Sequence, residues 1–151
     1  MTHMNVPAEK IAEVLGGRHV LGRSVHSMRE LDVIVREGMP KSALDKFIAF
    51  LTASNPNRST ETVQLRNKIV SRATYQRVDR FNVQVGETTE RLARLYALAL
   101  SVFEDRNAAK RFLMNPHPEL DGRTPFDVAL TEIGGREVEE VIERGLHGLP
   151  A

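Results

Sequence analysis

The chain has 151 residues, 41% hydrophobic and 27% charged, with a formal net charge of +1. That length suits one compact domain or two small helical ones, with enough apolar side chains to fill a core beneath a solvated surface. There is no cysteine, which excludes disulfides, thiol catalysis and cysteine-ligated zinc. With no tryptophan and 5% aromatic residues, stacking on single-stranded bases is not a main activity.

The start, Met1 to Pro7, has neither an apolar core nor a cleavage pattern, so no signal peptide is expected. The longest apolar run, Leu95 to Phe103, is far shorter than the roughly 20 residues of a membrane span. A cytoplasmic location and no membrane contact are expected. The small net charge hides an asymmetry. Up to Val83 the chain carries 13 Lys and Arg against 8 Asp and Glu; beyond it, 8 against 12. A basic half followed by an acidic half suggests two different partners, one of them nucleic acid, or an ordinary fluctuation of charge.

In chain order, Ala8 to Leu15 reads as a short amphipathic helix ended by Gly16-Gly17, and Arg18 to His26 as an irregular connection. Ser27 caps a helix to about Glu37, with Glu30 placed for a capping box. Leu31, Val33, Ile34 and Val35 form its apolar side, and the three consecutive β-branched residues keep a strand open as an alternative. Gly38 ends it. Pro40 suits a helix start, supported by Ser42-x-x-Asp45, and Leu44, Phe47, Ile48 and Leu51 follow at core-helix spacing. Ser54 to Arg58 is a loop, and Ser59 or Thr60 opens the next helix.

Asn82 to Glu87 reads as a break, after which Thr88 caps the longest helix, to about Glu104. Its stripe is Leu92, Leu95, Tyr96, Ala99, Val102 and Phe103. Arg106 to Met114 is a short helix with Ala109, Phe112 and Leu113 inward, stopped by Asn115-Pro-His-Pro118. Thr124 caps another with Pro125 in its first position, and Gly134-Gly135 breaks it. Arg136 to Arg144 forms the last helix, with Val138, Val141 and Ile142 on one side. No strand alternation persists, so the class is all-α.

Catalytic patterns are missing. His3, His19, His26, His117 and His147 include no pair at the i, i+4 spacing that puts two imidazoles on one helical face for a metal. They read as surface or cap residues. Gly134-Gly135 lacks the Lys-Ser/Thr of a phosphate loop. The acidic cluster Glu137, Glu139, Glu140 and Glu143 is flanked by Arg136 and Arg144 and reads as a solvated helix face. No metal, cofactor or enzymatic activity is expected.

Glu61 to Arg80 has the shape of a helix-turn-helix: a first helix from about Thr60 to Asn67, a corner at Lys68 to Val70, and a second helix, Arg72 to Arg80, capped by Ser71. Leu65, Ile69, Val70, Tyr75 and Val78 are spaced to hold two crossed helices. Arg72, Gln76, Arg77 and Arg80 can donate to base edges or phosphates, with Arg66 and Lys68 nearby. Ser71, Thr74 and the helix N-terminus can hold phosphates. The corner carries Ile69 where glycine is usual, and Leu65 stands where a small residue is expected. A structural helix pair with a basic face is the alternative.

The second part carries a compound pattern. It runs Arg91-Leu92-Ala93-Arg94-Leu95-Tyr96-Ala97-Leu98-Ala99, Val102-Phe103-Glu104-Asp105 and Ala108-Ala109-Lys110-Arg111-Phe112-Leu113. Then come Asn115-Pro116-His117-Pro118-Glu119-Leu120-Asp121-Gly122-Arg123-Thr124-Pro125 and, at the end, Glu139 to Ala151. These residues resemble the toxin-binding domain of the Xre/MbcA/ParS antitoxins. In that family a long helix leads to a short one ending before Asn-x-Pro; a Gly-x-x-Pro helix start follows, then a terminal helix closing on Gly-x-x-Gly. An Xre-like helix-turn-helix lies upstream, often after Gly-Leu-Pro, where this chain has Gly38-Met39-Pro40.

The resemblance implies a type II antitoxin whose partner is a RES-domain toxin that consumes NAD⁺, blocked by the antitoxin's C-terminal region at the mouth of its pocket. Carried onto this chain, the toxin-binding residues are Glu139, Glu140, Glu143, Arg144, Leu146, His147, Gly148 and Leu149. Leu146 and Leu149 offer apolar anchors, and a frayed terminus without a partner is the plain alternative. The expected organisation is an N-terminal helix and connection over 1–26, a helix-turn-helix part over 27–83 and a toxin-binding part over 84–151. Double-stranded operator DNA, a homodimer and a higher-order toxin–antitoxin complex complete the expected partners. A helix-turn-helix regulator without a toxin is the other reading of the whole.

Overall fold

The computed structural model describes residues 5–146. Among them are ten α-helices, one 3-10 turn and no strand, so the all-α class holds. The chain divides into two compact units: residues 7–90, and residues 91–146 together with Asn5 and Val6.

In the first unit α1 spans Ala8–Val14, α2 Gly17–Leu21, α3 Met28–Glu37, α4 Lys41–Thr52, α5 Arg58–Ile69 and α6 Arg72–Arg77. The connection expected over Arg18 to His26 is therefore partly helical. Gly16 and Gly22, both at positive φ, let the chain reverse on either side of α2, and the short helix buries Leu21. In α3 the Ser27 hydroxyl accepts the Glu30 N–H at 3.2 Å, and the Glu30 carboxylate accepts the His26 N–H at 3.0 Å. With Leu31, Ile34 and Val35 buried on one side, capping and burial outweigh the β-branched preference for a strand.

Pro40 is the N-cap of α4 rather than its first residue. The capping role read into Ser42-x-x-Asp45 is not used, because the Asp45 carboxylate faces another element. Leu44, Phe47, Ile48 and Leu51 are fully buried and form the centre of this unit. Helix α5 begins at Arg58, one or two residues before the start expected at Ser59 or Thr60. The Thr52 hydroxyl donates to the Ile48 carbonyl at 3.0 Å and meets the Thr62 hydroxyl at 3.3 Å. The Asn55 amide donates to the Glu61 carboxylate.

Helix α7, Val83–Phe103, crosses from the first unit into the second. Of the break expected at Asn82 to Glu87 only Asn82 lies outside the helix. Asn82 caps the helix through its side-chain oxygen, which accepts the Val85 N–H at 2.9 Å. Thr88, expected as the cap, lies within the helix and donates to the Gln84 carbonyl. Gly86 is buried inside the helix, where an added Cβ would meet Val35 at 3.4 Å, an ordinary contact, and the glycine makes no turn there.

In the second unit α8 spans Arg106–Met114, a 3-10 turn Pro118–Leu120, α9 Pro125–Val128 and α10 Glu132–Leu146. Asp105 caps α8 and Thr124 caps α9, with Pro125 in the first position. The glycine pair Gly134-Gly135 does not break a helix. It lies within the first turn of α10, started by Thr131, whose hydroxyl accepts the Gly134 N–H at 3.0 Å. The reason is close approach: a Cβ on Gly134 would fall 1.8 Å from the Val128 carbonyl oxygen, and one on Gly135 2.7 Å from Arg91 Cδ. Arg91, almost buried, donates to the Ala129 carbonyl at 3.0 Å and pairs with Glu132 at 3.3 Å. Together these fix the direction in which α10 leaves α9. No helix among the described residues is long and apolar enough to cross a membrane.

Candidate nucleic-acid and partner-binding surfaces

Arg58, Arg66 and Lys68 lie on α5 and Arg72 and Arg77 on α6. Val70 and Ser71 make the corner, and Ser71 caps α6 by accepting the Thr74 N–H at 3.2 Å. The Ser71 hydroxyl also donates to that of Thr74 at 2.9 Å, so both hydroxyls are engaged within the cap. Arg72, Gln76 and Arg77 are exposed on α6, and Lys68 is exposed on α5.

The second helix is shorter than its sequence pattern. It ends at Arg77, and Val78 is extended. The following backbone bonds to the segment before α4 instead: Lys41 N–H to Asp79 O at 3.0 Å, and Phe81 N–H to Met39 O at 2.9 Å. With Phe81 buried, this antiparallel bridge pulls the chain out of helical geometry. Arg80, expected on the recognition helix, lies in the bridge and donates to the Gly38 carbonyl at 2.9 Å.

No residue of α6 is buried, so its position depends on Tyr75. The Tyr75 hydroxyl donates to both Asp45 oxygens, at 2.8 and 2.9 Å. The Arg66 guanidinium lies 4.0 Å from the ring centroid and the Lys41 ammonium 4.7 Å, two cation–π contacts. Lys41 also donates to the Tyr75 carbonyl at 3.0 Å. Burial raises the Tyr75 pKa, the Asp45 hydrogen bond and charge raise it further, and Arg66 acts in the opposite direction. Tyr75 is legible as a packing residue; the Asp45 and Lys41 partners, 30 and 34 residues away, leave no local pattern.

Tyr75→Phe is expected to cost about 1 kcal/mol, the usual net worth of a partly exposed hydrogen bond. The raised folded-state pKa stabilises the wild type fully below the unfolded tyrosine value near 10, a contribution lost as pH rises through the higher folded value. Urea unfolding from about pH 8 to about pH 11 should show the wild type losing its advantage over the Phe variant in that window. A constant difference would rule out the linkage.

In the second unit the expected toxin-binding residues separate. Glu140 is exposed and Glu139 half-buried, whereas Glu143 is buried. The acidic face read from sequence is therefore smaller than expected. Glu139 and Glu143, four residues apart, run along the edge of the stripe made by Val138, Val141 and Ile142, and the packing takes in Glu143. Arg144 pairs with Glu119 at 2.6 Å, tying the end of α10 to the 3-10 turn. Leu146 closes the helix. His147, Gly148 and Leu149 lie outside the described residues.

Beside that turn is a pocket of about 320 Å³ lined by Phe103, Ala108, Arg111, Phe112, Asn115, Pro116 and His117. The Phe103 and Phe112 rings are 5.5 Å apart, and Phe112 meets the His117 ring edge-on at 5.9 Å. His117 reads from sequence as a surface or cap residue. It is a cap, since Nδ1 accepts the Glu119 N–H at 3.1 Å, but it is buried. Accepting at Nδ1 puts the neutral ring's proton on Nε2, and Nε2 is buried without a hydrogen-bond partner among the described residues. The sequence places Phe103 and Phe112 in apolar stripes and gives no sign of the space between them, which depends on the angle between α7 and α8.

No curated protein matches this sequence. Residues 98–148, from within α7 through α8, the pocket and α10, are similar to the family described as the antitoxin Xre/MbcA/ParS C-terminal toxin-binding domain.

Proposed function

We propose that this chain is the antitoxin of a type II toxin–antitoxin system and neutralises a RES-type, NAD⁺-degrading toxin by occluding its active site. The observation that carries the reading is the match of residues 98–148 to an antitoxin's toxin-binding domain, supported by a helical unit that ends in α10. Residues 139–151 supply the occluding region, with Glu139, Glu140 and Arg144 on the helix and the tail beyond it. The chain works by stoichiometric binding, as a homodimer within a higher-order complex, in the cytoplasm. The toxin-binding part is assigned to residues 84–151.

The second proposed role is operator binding by residues 27–83, with repression of the chain's own genes. Arg72, Gln76 and Arg77 on α6, with Arg66 and Lys68 on α5, form the basic surface that supports it; Ser71 and Thr74 shape the corner, and Arg80 flanks it. Replacing Arg72 and Arg77 with Ala should weaken operator binding and flatten the slope of log K against log salt by about 1 for each phosphate no longer neutralised. An unchanged slope would move the DNA surface elsewhere.

The experiment that tests the main reading is co-expression with the protein encoded beside this chain, followed by an NAD⁺-consumption assay. A stable complex that stops NAD⁺ loss is the expected result. If no complex forms and the chain alone shifts its promoter DNA, it is a plain regulator.

A further inference from the structure

Helix α6 is held by bonds rather than by burial. Its sequence is RATYQR and none of its residues is buried; in α5, before it, only Leu65 is buried. Apolar packing is non-directional, so with so little of it the rotation of α6 about its own axis is left to directional contacts. These come from α4 and meet at Tyr75. The Tyr75 hydroxyl donates to the Asp45 carboxylate oxygens at 2.8 and 2.9 Å, and the Tyr75 carbonyl accepts from the Lys41 ammonium at 3.0 Å. Arg66 of α5 lies over the same ring at 4.0 Å.

Asp45 is the unexpected member. It is half-buried and lies against a helix pair whose exposed side chains include Lys68, Arg72 and Arg77. A carboxylate there lowers the attraction to a phosphate backbone, the force behind non-specific binding. What it supplies is direction, since an ionised acceptor makes a shorter and stronger bond than a neutral one. A side chain that reads a base edge must be held within roughly 0.5 Å and 10–20° of its working geometry. A long cation on a phosphate tolerates more. Gln76 and Arg77 follow Tyr75 at about 100° and 200° round the helix axis, so fixing Tyr75 fixes where they point.

We propose that Asp45 and Tyr75 are positioning residues for base recognition: their bond sets the rotation of α6, and with it the direction in which Arg72, Gln76 and Arg77 enter a DNA groove. The proposal rests on the operator-binding reading and adds to it the source of sequence preference. The bond serves specific binding and contributes nothing to non-specific binding.

The test uses the full chain and two duplexes of equal length, one from the chain's own promoter and one with the same bases shuffled. Affinities are measured for the wild type, Tyr75→Phe, Asp45→Ala and the double variant. Thermal melting checks that each is folded at the assay temperature. Tyr75→Phe keeps the ring beneath Arg66 and carries the test if Asp45→Ala does not fold. In each variant the ratio of promoter to shuffled affinity should fall by about 10-fold, on the order of one base contact. The double variant should fall no further than the singles, since all three remove one bond. Affinity for the shuffled duplex should stay the same in Tyr75→Phe, and stay the same or rise in Asp45→Ala, which removes a negative charge. A bond that only stabilised the fold would weaken both duplexes alike, and that result overturns the proposal. An unchanged ratio in Tyr75→Phe also overturns it and leaves operator binding intact. A wild type that does not distinguish the two duplexes overturns both.

Discussion

Gly134→Ala is expected to destabilise the protein by about 3 kcal/mol, against the usual sign of such a change. In an ordinary helix interior, replacing glycine with alanine stabilises by about 1 kcal/mol. Gly134 is helical, yet a Cβ there would lie 1.8 Å from the Val128 carbonyl oxygen and 2.9 Å from the Thr131 hydroxyl. The obstacle is backbone, so no rotamer change relieves it; α10 must shift away from the end of α9. That shift strains the Thr131 cap and the Arg91 bonds to Ala129 and Glu132. Overpacking of this kind costs about 1–3 kcal/mol even before those weakened bonds are counted. Gly86→Ala is the internal control. Gly86 is also inside a helix, but its nearest neighbour would be the Val35 side chain at 3.4 Å, and the change should stay within about 1 kcal/mol of neutral. Urea midpoints of the two variants decide the matter: equal stability of Gly134→Ala and wild type would mean that α9 and α10 are not packed this closely.

The same glycines separate what sequence reveals of the fold from what it does not. Local signals suffice where one segment carries both the cap and its target. Ser27 with Glu30, and Thr124 with Pro125, each mark a helix start within four residues. Stripes such as Leu44, Phe47, Ile48 and Leu51 mark buried faces by period alone. Gly134-Gly135 reads as a break because glycine has two uses, turning and close approach, and only the neighbours Val128 and Arg91 show that the second applies.

The surfaces follow the same division. The corner residue Ser71 and the exposed Arg72, Gln76 and Arg77 are legible, since they depend on one cap and one helix. The early end of α6 is not, because it follows from backbone pairing of residues 79–81 with residues 39–41. Glu143 has the sequence context of an acidic face, and only packing reveals its burial. The pocket at Phe103, Arg111 and His117 needs the angle between two helices, a quantity without a local signature.

Deleting residues 145–151 is expected to abolish toxin neutralisation while leaving operator binding and most of the stability in place. The buried stripe Val138, Val141 and Ile142 and the Arg144–Glu119 pair all precede the cut, so α10 keeps what holds it to its unit and loses only its end and the tail. The basic residues of α5 and α6 belong to the other compact unit. If the tail is the occluding element, an NAD⁺-consumption assay should show full toxin activity in the presence of excess truncated chain. Complex formation without inhibition would mean that the rest of the toxin-binding part holds the toxin while the tail blocks its site. Inhibition by the truncated chain would sink occlusion by the tail. Loss of both binding and inhibition would make the tail the whole interface.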